Sequence, residues 1–277
     1  MHTDGTVPEL FHRQLGTEGP AVVFLPGLAA STRYWESRIA PLADDHRVVL
    51  VDLLGFGQSP KPWATYSVER QVTELHRVLV HVGPFTLVGH SLGALLAIAY
   101  AARYPRAVTG LALFGLPCFA SAAEAKRSLR GRSALDRWAL SNLLMVAIVC
   151  MFSRHVMRPL LPRLLSNLPP EIVEDYLLHT WLSATSTILE VIYRYDPRVD
   201  IDRLSTDMPV ALLHGEHDST APIESVRELV RQYPDWRLDV LPEGDHNVLL
   251  NDPEWCLNKL QAFLDAPVPR QFTQLVS

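Results

Sequence analysis

Directly after the apolar run Phe85–Val88 the chain reads Gly89-His90-Ser91-Leu92-Gly93, then passes into a stretch carrying Ala94, Ala97, Ala99, Ala101 and Ala102. A short apolar run bounded by turn residues predicts a buried strand, and the small side chains predict a helix able to lie close against a sheet. A sharp turn must join the two, and its glycines permit the tight path and the close backbone approach. Ser91 stands at the apex. A serine here can act simply as the cap of the following helix, but the G-x-S-x-G spacing between a strand and a helix displays its hydroxyl for nucleophilic chemistry. His90 is expected to point away from Ser91 and to pack or hydrogen-bond beneath the turn.

The same alternation runs through most of the chain. Leu10–Leu15 is expected as an edge strand, and Val22–Leu25, Val48–Val51, Leu111–Phe114, Val210–Leu213 and Arg237–Leu241 join Phe85–Val88 as core strands. Helices are expected at Thr32–Ala43, Val68–Val82, Ala221–Tyr233 and Pro253–Phe263. Strands separated by helices predict an α/β fold, a mostly parallel central sheet flanked by helices. From Pro117 to Val199 the alternation stops. Helical segments around Ala122–Leu129, Leu135–Phe152, Arg158–Leu165 and Pro170–Tyr195 are divided by Pro159, Pro162 and Pro169-Pro170, which lack backbone donors and restrict their neighbours. The expected organisation is therefore a core over 1–116, a helical cap over 117–200 inserted after the Leu111–Phe114 strand, the core resumed over 201–266, and a tail over 267–277.

Composition narrows the partners. A formal charge of −5 argues against nonspecific attraction to nucleic acid, and the basic group Lys126, Arg127, Arg130 and Arg132 is read as the solvated edge of the cap. Cys118, Cys150 and Cys256 have neither metal-site spacing nor the density of a disulfide scaffold, which favours a reduced, cytoplasmic protein. The first residues show no apolar core behind a basic region, so no export signal is expected. Trp138–Phe152 is apolar but interrupted by Ser141 and Asn142 and short for a membrane span. It is expected to be a buried or substrate-facing cap helix, with no integral membrane association.

Beyond Gly89–Gly93 the chain carries the turn Pro26-Gly27-Leu28, the loop Asp52-Leu53-Leu54-Gly55-Phe56-Gly57-Gln58-Ser59, Asp218 after one late strand and His246 after the last. With these, nearly the whole chain resembles the α/β-hydrolase superfamily, especially its compact capped esterase-like members. The order Ser91, Asp218, His246 is that family's order of nucleophile, acid and base. Relatives that use an alkyl-enzyme mechanism place aspartate where this chain has Ser91. Many relatives also have histidine before the first glycine, where this chain has Pro26.

The chemistry this implies is acyl transfer. His246, on a loop after the last strand, is positioned to take the Ser91 proton as a neutral imidazole. The resemblance places Asp218 on the other imidazole nitrogen, with Glu216 and Asp245 as rival carboxylates. The backbone N–H groups of Leu28 and Leu92 are expected to face the oxyanion. His214 and His217 beside Asp218 match no metal spacing and are read as loop-stabilising; neither metal nor organic cofactor is expected. Trp35, Phe56, Leu116, Cys118, Trp138, Met145, Phe152, Trp181, Ile188 and Ile192 are expected along a pocket for a small hydrophobic or aromatic substrate. The leading expectation is hydrolysis of a small carboxylic ester. Carbon–carbon hydrolysis of a ketonic substrate, specialised acyltransferase, lactonase, thioesterase or cyclase activity, and a noncatalytic ligand-binding scaffold stand as alternatives. No oligomeric state is assigned.

Overall fold

The computed structural model describes residues 8–119, 148, 151–152 and 169–266. Its strands are His12–Leu15 (β1), Ala21–Leu25 (β2), Arg47–Val51 (β3), Phe85–His90 (β4), Val108–Phe114 (β5), Val210–Gly215 (β6) and Arg237–Leu241 (β7). They form one sheet in the order β1-β3-β2-β4-β5-β6-β7. All pairs are parallel except β1 on β3. Every residue of β2 and β6 is buried, as expected of strands covered on both faces.

Side-chain alternation divides the core into two layers. Val23 and Leu25 of β2 join Leu87 and Leu113 beneath the helices Val68–Leu79 (α2) and Leu92–Arg103 (α3). Val22 and Phe24 join Val88 and Ala112 beneath the helices Arg33–Ile39 (α1) and Pro253–Leu264. Residues Leu92 to Ala101 are buried without exception, so the alanines noted in the sequence are what lets α3 settle onto the sheet.

Two expected helices differ from those observed. Thr32–Ala43 ends early: α1 stops at Ile39 and a 3-10 turn follows over Ala40–Asp44, because Pro41 cannot donate to a continuing helix. Pro170–Tyr195 is broken into Pro170–Asp175, Trp181–Thr187 and a π-helical turn at Ile188–Tyr193. The break is chemical. Thr180 caps the second piece by accepting from Ser183 N–H, and Ser183 Oγ accepts from Thr180 N–H in return. The helical cap is inserted after β5. The segments Ala122–Leu129, Arg158–Leu165 and most of Leu135–Phe152 lie outside the described residues, as does the 267–277 tail, while Ile148, Met151 and Phe152 are helical.

Buried carboxylates pin the cap to the core. Asp175 accepts from Ser31 Oγ and from Arg33, whose Nε lies at 2.9 Å. Asp200 accepts from Arg103 Nη1 of α3 at 2.7 Å, Tyr195 Oη at 2.9 Å and Arg203 Nη1 at 3.0 Å. Arg198 Nη1 donates to Phe119 O at 2.8 Å, which ties the cap's exit to its entry. Asp200→Ala removes the carboxylate shared by Arg103, Tyr195 and Arg203 and, with Arg103 still bonded to Ala99 O and partly solvated, is expected to cost about 2 kcal/mol, read as a lower urea-unfolding midpoint.

Candidate active site

Ser91 leaves β4 at φ 53 and ψ −113. This left-handed value is rare for a residue with a side chain, and one hydrogen bond and two close backbone approaches accompany it. Ser91 N–H donates to Phe114 O at 2.9 Å. A Cβ on Gly89 would lie 2.4 Å from Gly93 O, and one on Gly93 would lie 2.4 Å from Leu25 O. Among the described residues Ala29, at φ 60, is the other non-glycine residue in this region. It belongs to the turn after β2, where a Cβ on Gly27 would sit 3.5 Å from Ser91 Cβ. The two strained turns therefore face one another, a pattern associated with functional sites.

The parallel sheet sends the chain out of β4, β5, β6 and β7 at the same edge. Loops after β6 and β7 are joined there by Glu216 N–H to Leu241 O at 3.0 Å and His217 N–H to Gly244 O at 2.9 Å. As a result His246 Nε2 lies 2.9 Å from Ser91 Oγ, and His246 Nδ1 lies 2.8 Å from Asp218 Oδ2. An ionised carboxylate only accepts, so Nδ1 carries the proton and Nε2 is left to accept from the serine hydroxyl. Asp218 Oδ1 accepts from Thr220 and Ala221 N–H, each at 2.8 Å. Burial alone would raise the Asp218 pKa. Hydrogen bonds from His214, His246 and Ala221 N–H outweigh that effect and hold it well below the usual carboxylate range.

The rival carboxylates are engaged elsewhere. Glu216 accepts from Arg227 Nη2 through both oxygens, at 2.9 and 2.7 Å, and Asp245 accepts from Asn247 N–H at 2.7 Å. His90 lies beneath the turn, stacked on Tyr34 with ring centroids 4.7 Å apart, and its Nε2 donates to His246 O at 3.0 Å. Burial first, and then the neighbouring His246, push the His90 pKa down to about 3. Asp52 holds Thr32 N–H at 2.6 Å and Gln58 N–H at 2.7 Å, tying the Asp52–Ser59 loop to the start of α1. Burial raises its pKa to about 6 despite those two donors.

Gly115 was not singled out in the sequence. It follows β5 at φ 53, a conformation strained for any side chain, and a Cβ there would lie 3.2 Å from both His246 Nδ1 and His246 O, so the imidazole and its backbone would have to give way by a few tenths of an ångström. Its one sequence signal is a glycine placed where a core strand gives way to the cap.

The expected pocket residues separate. Phe56, Leu116 and Cys118 are buried in one apolar cluster with Leu92, and Leu28 and Ile192 pack against it. Ile188 is buried at the head of the π turn. Trp35 departs from the expected pocket position: it packs between Phe24 and Phe114, with ring centroids at 5.1 and 5.3 Å, in the core layer on the other face of the sheet. Trp181 is 39% exposed and meets Trp63 edge to face at 5.7 Å, while Phe152 is 52% exposed. Trp138 and Met145 lie outside the described residues. Among the described residues, no group of three or more histidine, cysteine or acidic side chains could hold a metal ion, and no helix is long and apolar enough to cross a membrane.

Residues 20–253 match the family described as alpha/beta hydrolase fold. The chain is 27% identical over 255 residues to the probable lysophospholipase BODYGUARD 1 of Arabidopsis thaliana, covering 81% of this chain and 54% of that protein. It thus spans about half the length of the first curated relatives it matches. It is 28% identical over 252 residues to the putative carbamate hydrolase RutD of Escherichia coli, covering 86% of this chain and 88% of that one. Solved structures share the fold. A thermophilic esterase from Thermogutta terrifontis superposes with a TM-score of 0.70 at 23% identity, over 92% of each chain. E-2-(acetamidomethylene)succinate hydrolase gives 0.74 at 22% identity, over 93% of this chain and 95% of that one.

Two outcomes are expected from this geometry. Gly115→Ala should misplace His246 and slow labelling of Ser91 by a fluorophosphonate roughly tenfold or more, with circular dichroism confirming the fold. His90, with a folded pKa of about 3 against roughly 6.5 unfolded, leaves the unfolded chain to bind the proton first as pH falls. Its contribution is thus complete above about pH 6.5 and lost on acidification, by about 2 kcal/mol at pH 5. Urea unfolding of His90→Gln at pH 7.5 and pH 5 should show that much less acid sensitivity than wild type.

Proposed function

The chain belongs to the alpha/beta hydrolase fold family, and on that footing we propose that it is a serine hydrolase cleaving a small hydrophobic carboxylic ester through an acyl-serine intermediate. The observation that carries this reading is the hydrogen-bonded sequence of Ser91 Oγ, His246 and Asp218, with links of 2.9 and 2.8 Å. Ser91 Oγ attacks the carbonyl carbon while His246 Nε2 takes its proton. Asp218 stabilises the resulting imidazolium and keeps its ring oriented.

The tetrahedral oxyanion is received by the N–H groups of Leu28 and Leu92. Helix geometry leaves the leading N–H groups of α3 without intrahelical partners, and the turn after β2, closed by Ala30 N–H on Gly27 O, carries Leu28 directly after Gly27, which approaches Ser91; both support this assignment. One well-aimed donor of this kind contributes roughly 3 kcal/mol to the transition state. Collapse expels the alcohol, which collects the proton from His246. Water, activated by the same imidazole, then attacks the acyl-serine and releases the acid.

Phe56, Leu116 and Cys118 belong to the same buried apolar layer as Leu92, which supports a small apolar acyl or aromatic group. The sparse cysteines support a cytoplasmic site of action. A carbamate is the second reading, favoured by the relative of that name that is matched over 88% of its length. The same serine chemistry accommodates it. Wild type and Ser91→Ala are to be incubated with short, long and aromatic carboxylic esters and an alkyl carbamate, with products measured by mass spectrometry. The expected result is ester turnover in wild type that falls at least about a thousandfold in Ser91→Ala. Turnover confined to the carbamate would replace the ester assignment, and turnover equal in both proteins would overturn the serine mechanism.

A further inference from the structure

A second imidazole lies behind the triad acid and takes no part in the mechanism above. His214, in β6, is completely buried, and its Nε2 sits 2.7 Å from Ala221 O and 3.3 Å from Asp218 Oδ2. Both neighbours only accept, so Nε2 carries the proton, aimed mainly at the carbonyl with the carboxylate oxygen as a second acceptor. Its Nδ1 is buried without a hydrogen-bond partner among the described residues. A charged ring would bury an unpaired donor there, so the neutral tautomer fits the site.

Ala221 in turn donates its N–H to Asp218 Oδ1 at 2.8 Å. His214 therefore restrains the carboxylate twice, through the Ala221 peptide at Oδ1 and directly at Oδ2. That second oxygen is the one bonded to His246 Nδ1 at 2.8 Å. The fold leaves the ring little freedom: His214 pairs with Val240 in the β6–β7 ladder. Gly215 lets the loop double back, since a Cβ there would lie 2.3 Å from Asp245 O. The ionisable groups around this ring are Asp218 and His246 on the two loops and His90 at the end of β4.

We propose that His214 is a positioning residue: as a neutral imidazole it fixes the rotamer of Asp218 and shares the negative charge of the oxygen that faces His246. Its consequence for rate rests on the serine-hydrolase reading. Without this donor the carboxylate is freer to rotate, which lowers kcat. Its less-shared charge also stabilises the His246 imidazolium, which moves the acid limb of kcat/KM to higher pH.

The test compares wild type with His214→Leu, which removes the donor, and His214→Gln, whose amide nitrogen reaches the place of Nε2. On the best ester, His214→Leu is expected to lower kcat roughly tenfold with KM nearly unchanged and the acid limb shifted upward. His214→Gln is expected to restore most of both. The downfield proton resonance of His246 Nδ1–H, recorded without substrate, should move in the leucine variant and return in the glutamine variant. If His214→Leu does not fold, His214→Asn, too short to reach Ala221 O, takes its place. A folded variant with unchanged kcat, acid limb and resonance overturns the proposal, as does a lower thermal midpoint with no change in those three. Absence of turnover and of Ser91 labelling in wild type would instead sink the hydrolase reading, while the resonance still decides whether His214 holds Asp218.

Discussion

The hydrogen bond from Ser91 N–H to Phe114 O attaches a strained backbone to the middle of the sheet, and the geometry of the site follows from that attachment. A side-chain-bearing residue in the left-handed region gives up on the order of 1 kcal/mol or more. It persists because its surroundings leave no alternative. Leu25 lies opposite Gly89 in the ladder and His90 opposite Phe114, so both neighbouring strands fix the path into the turn. The missing side chain of Gly89 lets the start of α3 press against the end of β4, and that of Gly93 lets it press against the end of β2. A turn built this way cannot relax toward ordinary dihedrals without breaking ladder bonds on both sides. Its hydroxyl is therefore presented in one direction, toward the loops that follow β6 and β7.

Asp218 on the first of those loops and Asp52 after β3 show how surrounding donors set the state of a buried carboxyl group. Asp52 and Asp218 are both withdrawn from water, which favours the protonated form of each. Asp52 has two backbone donors, and burial prevails, with a pKa near 6. Asp218 has two backbone donors and two imidazoles, and the balance reverses. The histidines that surround the charge use the same device. His90 and His214 each direct Nε2 at a main-chain carbonyl, those of His246 and Ala221. In this way imidazoles that do not touch the serine hold the backbone of the loops carrying the residues that do.

Much of this organisation was legible in residue order, and what was not has physical causes. Strand positions were readable because each is a short apolar run between turn signals, and Ser91 and His246 stood out on loops after such runs, whereas Asp218 was set against His246 by the family resemblance, with Glu216 and Asp245 on the same loops as rivals. The parallel order of the strands then brought them together. Helix ends were less legible. Thr180 and Ser183 start a new helix by reciprocal capping in the middle of a segment whose composition is helical throughout. Trp35 read as a pocket residue because an aromatic side chain soon after the Pro26–Gly27 turn is near the site along the chain. Helix α1 itself covers the opposite face of the sheet, and its Tyr34, Trp35 and Ile39 are buried there together. Gly115 carried almost no signal, since its importance lies in an imidazole more than a hundred residues away in sequence.

The bond from Arg198 to Phe119 O joins the two ends of the insertion on the core side. Seen from the sheet, the cap is a long excursion whose ends are already fixed. Changing the length of such an excursion carries only a small entropic cost, about 0.6 kcal/mol for each doubling. The chain between Phe119 and Arg198 can therefore change in length at little cost in chain entropy while that one bond keeps its two ends together.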